Sequence, residues 1–298
     1  MPQVHTRTGS FPIGFRVGGS PWQKDAASLT RFAREHGFAH LDTSALPVEE
    51  LQGLRDAGLG SVDLPQPWTG LASADPAKRS DTAKQCADYI AEVVPLGVTN
   101  FFVVVFPENR EGNRAENLKL AVDSYGQLCQ QLDDAKVDKA HLVIEGYPGG
   151  PPHHHALACT PADCRLLFDR VGSDRLGVNY DPSHLVRMGI DPLRFAREFA
   201  DRIHHVHAKD TDLLGEGRYQ HGNLQPASEA KPHGFGGHHW RYTIPGHGVI
   251  PWTRLFQQLA DAGYEGKVSI ELEDENFNGS EEGEQRGLLA SRDFLVHA

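Results

Sequence analysis

The sequence predicts a single α/β domain of the (β/α)₈ TIM-barrel class, spanning 1–298 and carrying a long loop insertion at about 211–245, after the seventh strand. Three observations predict it. Short apolar runs alternate with longer amphipathic segments to give eight strand–helix units, the pattern of a parallel sheet covered by helices. Most connections are short, and no repeat, low-complexity tract or linker divides the chain. The turn after the first strand, FRVGGSPW, has adjacent glycines but not the spacing of a dinucleotide fingerprint, which an open doubly wound sheet would want. A length of 298 residues suits one barrel of about 250 with additions.

The elements follow in order. Ile13 to Val17 reads as the first strand, and Trp22 to His36 as a helix with Leu29, Phe32 and Ala33 on one face. Phe38 to Leu41 forms the second strand, ending at Asp42. Pro47 to Ala57 is helical, and Ser61 to Leu64 is a weak third strand. Pro76 to Val94 is a long helix. Asn100 to Phe106 holds the continuously apolar run FFVVVF, suited to a strand buried on both faces. Arg114 to Leu132 shows the 3-4 spacing of an amphipathic helix in Leu118, Ala121, Tyr125, Leu128 and Leu132. His141 to Glu145 is the fifth strand. Thr160 and Pro161 then supply an N-cap and a first helical residue. Leu176 to Tyr180 is the sixth strand, Asp191 and Pro192 repeat the cap-then-proline device, and Ile203 to His207 is the seventh strand. The insertion is rich in Gly, His and Pro and has no clear period. Trp252 to Ala262 is helical and stops at Gly263. Lys267 to Leu272 is the eighth strand, and Gly287 to Val296 the last helix.

Composition excludes several function classes. Acidic residues outnumber basic ones, 40 to 29, for a net charge of −11, which opposes a nucleic-acid partner. No run approaches the roughly 20 apolar residues of a membrane span. Cys86, Cys129, Cys159 and Cys164 form no Cys-x-x-Cys pair, and their low density suits a reducing compartment; the N-terminus lacks an apolar signal core. A cytoplasmic protein is expected.

Four strands end in metal-capable side chains: Glu145, Asp181, His207 and Glu271. Barrel active sites lie at the C-terminal ends of strands, so these four converge if the barrel closes. Three carboxylates and one imidazole suit Mn²⁺, Mg²⁺ or Co²⁺ better than a structural zinc; the expected ion is Mn²⁺, with Mg²⁺, Co²⁺ or Zn²⁺ as alternatives. Taken singly, each has an ordinary reading: a loop glutamate, a turn-capping aspartate, a core histidine. Jointly, that much buried charge would be costly without a cation. His184 follows Asp181 by three and could hydrogen-bond a substrate hydroxyl or a ligand carboxylate. Lys209 shares the facing of His207 if the strand continues, and could meet a developing oxyanion or merely form an ion pair at the rim. Glu273 competes with Glu271 for the ligand role. The run His153, His154, His155 reads as a solvated loop segment. Trp240, Arg241 and His247, with His239, could form a lid binding substrate hydroxyls or a phosphate, or be ordinary surface residues of the insertion.

The set EGYPG, NYDPSH, HVHAKD and VSIELED resembles the xylose-isomerase-like barrel superfamily, and within it the sugar phosphate isomerase/epimerase group. The likeness covers roughly the last two-thirds of the chain. It implies one divalent metal held by Glu145, Asp181, His207 and Glu271, with Glu145 and Glu271 as an acid/base pair and His184 on substrate. The chain departs from the epimerases in lacking their strand-seven arginine, offering Lys209 and Asp210 instead, and in its long insertion. The expected activity is a metal-dependent isomerase or epimerase acting on a small carbohydrate through an enediolate. Alternatives are a lyase or dehydratase on inososes or 3-keto-glycosides, an endonuclease-IV-like phosphodiesterase, and a non-catalytic sugar-binding barrel. Relatives are commonly assembled from identical copies, so a homo-oligomer is compatible with the resemblance.

Overall fold

The computed structural model describes residues 2–150, 155–223 and 230–298. Its strands are β1 (Ile13–Arg16), β2 (Leu41–Thr43), β3 (Leu59–Asp63), β4 (Asn100–Val103), β5 (His141–Glu145), β6 (Leu176–Tyr180), β7 (Ile203–Ala208), β8 (Asp210–Leu213), β9 (Trp240–Thr243) and β10 (Lys267–Ile270). Eight of them close a parallel barrel in the order β1-β2-β3-β4-β5-β6-β7-β10, as the alternation predicts. β8 and β9 form a separate antiparallel pair within the insertion.

Local sequence explains the elements. Phe101, Phe102 and Val103 of β4 are buried on both faces, between lumen and helices. In the helix Arg114–Asp134 the apolar stripe of Leu118, Ala121, Tyr125, Leu128, Cys129 and Leu132 is buried. Burying each large apolar side chain of such a stripe contributes about 1.5–3 kcal/mol. Asp75, Thr160, Asp181 and Asp191 each cap a helix whose first residue is proline. The cap accepts an orphan backbone N–H, and the proline lacks one to leave unpaired.

Strand bounds shift at β2, β3 and β4 from the expected Phe38–Leu41, Ser61–Leu64 and Asn100–Phe106, and the structure differs further in the helices and the insertion. The first helix is broken, Pro21–Lys24 and Ala26–Glu35, because Asp25 turns extended and caps the second piece through Ser28 N–H. A short helix, Pro182–Arg187, follows Asp181. The last helix begins at Glu281, not Gly287; its first turn is acidic and so carries no apolar signal, but Ser280 caps it. The insertion contains β8, β9 and the helix Gly215–His221 among its described residues.

The barrel interior is polar. His40, Asp42, Ser61, His205, His207 and Ser269 are all wholly buried, where barrels of this class usually stack branched apolar residues. β2 and β7 are not sheet neighbours, so the His205 Nε2–Asp42 Oδ2 contact of 2.7 Å crosses the lumen. Ser269 Oγ lies 2.8 Å from His40 Nε2 and 3.1 Å from His205 Nε2, extending the network to β10. Gly60 on β3 is required here: a Cβ would come within 2.0 Å of Asp42 Oδ1. The missing side chain makes room for the carboxylate, which also accepts from Ser61 N–H at 2.8 Å.

Candidate active site

Glu145, Asp181, His207 and Glu271 lie at the C-terminal ends of β5, β6, β7 and β10, four consecutive strands of the barrel wall. One ligand atom from each lies within 4.8 Å of all the others. His207 Nδ1 sits 2.8 Å from Glu145 Oε1 and 3.4 Å from Glu271 Oε2. Asp181 divides its oxygens. Oδ1 accepts from Ser183 N–H at 2.9 Å as the helix cap, while buried Oδ2 takes no hydrogen bond and faces Lys209 Nζ at 3.2 Å and His184 Nε2 at 3.4 Å. The capping role and the cluster role are thus held by different atoms of one side chain. An under-satisfied buried carboxylate oxygen facing two further carboxylates and an imidazole fits a hard divalent cation.

The electrostatics are strongly coupled. Burial opposes charge on His207, but the Glu271 charge and contacts with Asp42 and Glu145 outweigh it and hold the imidazole well above its ordinary value. Burial and the Glu271 charge push Glu145 up, yet His184 and His207 outweigh them and hold it below the usual carboxylate range. Glu271 is likewise held well below that range, burial being outweighed by Lys209 and His207.

Lys209 continues the facing of His207 and is 1% exposed. Its ammonium contacts Glu271 at 2.6 Å, Glu273 at 2.9 Å and Asp181 at 3.2 Å. It is therefore buried among three carboxylates rather than paired at the rim, and they hold its ammonium charged against the cost of burial. His184 Nε2 lies 3.2 Å from Glu145 Oε2, and its Nδ1 lies 2.6 Å from Tyr242 Oη on β9. Above these groups opens a cavity of about 380 Å³, lined by Glu145, His184, Lys209, Glu271, Glu273 and Trp240 among others.

Two expected lid residues are elsewhere. Arg241 alternates with Trp240 and Tyr242 on β9, so its side chain turns away and pairs with Asp212 at 3.2 Å. His247 is exposed beyond the hairpin, with its ring 6.4 Å from Phe277. His239 is buried and contacts Arg187 O at 3.2 Å. Asp210 is no ligand candidate: its carboxylate accepts from Thr211, Gly246 and Ile250 N–H and from Trp252 Nε1, which ties down the returning end of the insertion. His153 and His154 lie outside the described residues; His155 stacks on Phe106.

The sequence reading missed Asp42, Arg16, Asp63 and Arg187. Arg16 pairs with Asp63 through two hydrogen bonds, 2.9 and 2.8 Å, and reaches Glu271 at 3.5 Å. The available signal was period-2 facing: His40 and Asp42, or Ser61 and Asp63, project to one side of their strands. The cross-lumen partners that give those residues meaning lie far away in the chain.

A closed parallel barrel with acidic and imidazole groups gathered at its C-terminal mouth defines a class of barrel proteins, and comparison with known proteins places the chain within it. The profile of the family described as Xylose isomerase-like TIM barrel matches residues 15–295, and the chain belongs to that family. It is 39% identical over 157 residues to "Uncharacterized protein YfiH" of Bacillus subtilis strain 168, covering 52% of this chain and 46% of that protein. It is 31% identical over 123 residues to the inosose dehydratase of Lacticaseibacillus casei, covering 41% of this chain and 39% of that enzyme. The matched region thus spans less than half the length of these two curated relatives. The D-psicose 3-epimerase of Clostridium cellulolyticum H10, solved with D-tagatose, superposes with a TM-score of 0.67 at 16% identity, covering 96% of this chain and 99% of that one; this is a likeness of fold. No helix among the described residues is long and apolar enough to cross a membrane.

Proposed function

We propose that the protein is a divalent-metal-dependent isomerase or epimerase of a sugar, polyol or keto-sugar. The observation that carries this reading is the placement of Glu145 and Glu271 on either side of His207 Nδ1, at 2.8 and 3.4 Å, beneath a cavity of about 380 Å³. Glu145, Asp181, His207 and Glu271 would hold the metal, which when bound supplies Lewis-acid polarisation of a substrate carbonyl.

The chain's own groups do the rest. Glu145 and Glu271, both held ionised, are bases placed to take a proton from the carbon next to the carbonyl, and each can return it. Two such bases on opposite faces would invert a centre; one base serving adjacent carbons would move the carbonyl. His184, fixed by Tyr242, orients a substrate hydroxyl. Lys209, one strand step beyond His207, places positive charge where negative charge develops on substrate oxygen. Trp240 and Tyr242 are buried and line the cavity as apolar wall against the substrate.

A second reading, elimination of water from an inosose or a related keto-glycoside, is favoured by the likeness to inosose dehydratase. It uses the same proton abstraction followed by departure of a hydroxyl. Incubating ketohexoses, inososes and 3-keto-glycosides with the Mn²⁺-supplemented protein in D₂O separates the two. Deuterium entering at the carbon beside the carbonyl, with mass otherwise conserved, marks isomerisation or epimerisation. Loss of water marks elimination. No exchange with any of the three classes or with their phosphate esters and uronate counterparts rejects both.

A further inference from the structure

The short helix after Asp181 carries a second functional side chain. His184 and Arg187 are three residues apart, so they share one helix face with Cβ atoms about 5–6 Å apart. His184 contacts two of the candidate metal ligands, and Arg187, one helical turn on, lies in the wall of the same cavity. Its guanidinium lies 4.4 Å from the Trp240 ring centre, 5.1 Å from Tyr147 and 5.7 Å from Tyr242. Nη2 donates to Gly149 O at 2.5 Å. The residue is 4% exposed, Nε is buried with no acceptor, and no carboxylate among the described residues pairs with it. Lys209, the other buried cation of this cavity, has three.

Burying a guanidinium without a counter-charge is costly, and aromatic faces return only about 0.5–2 kcal/mol each. With Nη2 engaged by Gly149 O, the buried Nε is left without an acceptor, and the planar guanidinium that carries it matches the oxygens of a carboxylate or a phosphate. We infer that Arg187 is the anion subsite of the cavity and selects substrates bearing a carboxylate or phosphate beyond the carbons that react. This rests on the carbohydrate reading above and narrows it from neutral sugars to acidic ones.

Binding, not turnover, tests it. Dissociation constants for two matched pairs, D-fructose with D-fructose 6-phosphate and D-glucose with D-glucuronate, are measured by ligand-observed NMR in Mg²⁺ for the wild type, Arg187→Met and Arg187→Lys. The wild type is expected to prefer at least one charged member over its neutral partner by about 10-fold or more. Arg187→Met abolishes that preference while leaving the neutral sugars within about 2-fold, and Arg187→Lys keeps part of it. Preference for the phosphate ester alone assigns a phosphate; preference for the uronate alone assigns a carboxylate. Equal binding of charged and neutral members by the wild type overturns the inference. So does a preference that survives Arg187→Met, or a loss in that variant shared equally by neutral and charged ligands. Because no reaction is read, an Arg187-dependent preference in a protein inactive on every keto-sugar would refute the isomerase reading and leave the subsite standing.

Discussion

Asp42 Oδ2 lies 3.3 Å from His207 Nε2, while Glu145 Oε1 lies 2.8 Å from Nδ1 of the same ring. The imidazole lies between a carboxylate from β2 across the lumen, at ion-pair distance but outside hydrogen-bond geometry, and the mouth cluster. A buried carboxylate behind a ligating histidine fixes its tautomer and raises its basicity, and its loss typically costs 10–100-fold in metal affinity. Asp42→Asn, nearly isosteric, is therefore expected to weaken Mn²⁺ binding by about that factor, read by calorimetric titration. An unchanged affinity would show that Asp42 serves the barrel interior alone.

Lys209 is the cation among Asp181, Glu271 and Glu273. Removing one partner of a buried ionic cluster leaves uncompensated charge, at a cost of about 3–5 kcal/mol. In metal-free buffer, Lys209→Met should melt well below wild type. Mn²⁺ should raise the melting temperature of the variant more than that of the wild type, since the ion replaces the lost charge. Equal metal-induced shifts in calorimetric melts would count against a cation site at these carboxylates.

Tyr242 Oη holds His184 Nδ1 at 2.6 Å from the lid side. Tyr242→Phe deletes that contact at a stability cost of about 1 kcal/mol. Turnover should suffer more than folding: KM for the accepted keto-sugar rises because His184 no longer presents a fixed Nε2. A variant with wild-type KM would remove Tyr242 from the positioning of His184.

Glu271→Gln probes the acid/base pair. The amide oxygen can still approach a metal, whereas the side chain no longer accepts a proton. Metal binding should persist, within about 10-fold by titration, while deuterium exchange into substrate falls by about 100-fold or more. Retained turnover would leave the two-glutamate scheme without its second base.

Acid should destabilise the fold over a defined window. Burial pushes His40 down to about 3, against the opposing pull of Asp42. Burial and the neighbouring His141 push His204 down to about 4, the two rings stacking at 3.9 Å. In the unfolded chain each titrates near 6.5. Folded values below the unfolded value mean that the unfolded state binds more protons as pH falls. The stability is therefore fully present above about pH 6.5 and declines as pH falls through 4 towards 3. Melting temperature followed from pH 7 to 4 should drop in the wild type and drop less in His204→Asn. Parallel curves would remove His204 from the acid response.

Much of this architecture was legible because its signals are local. The FFVVVF run, the Thr160–Pro161 and Asp191–Pro192 caps and the four acidic or imidazole strand ends each lie within a few residues, and the family resemblance added the order in which they occur. The hairpin was not legible: β9 is four residues long, too short for Trp240 and Tyr242 to establish an alternation against Arg241. For the same reason Arg241 was expected at the mouth and is found on the outer face. Asp42 and Arg187 were missed because their partners lie on other strands and loops, and nothing adjacent in the chain marks them.

The insertion is fastened at its two bases. Asp210 gathers four donors from its own strand and the 246–252 return, and Asp274 accepts from Thr243 Oγ1 at 2.6 Å and Ile244 N–H. Those clamps hold the two bases of the insertion against the barrel independently of what joins them, apart from Trp240 and Tyr242, which reach the cavity. The fold therefore separates two tasks: the candidate metal ligands sit on the barrel wall, and part of the cavity lining comes from the insertion. Segment 214–239 is the natural unit of exchange for engineering that lining.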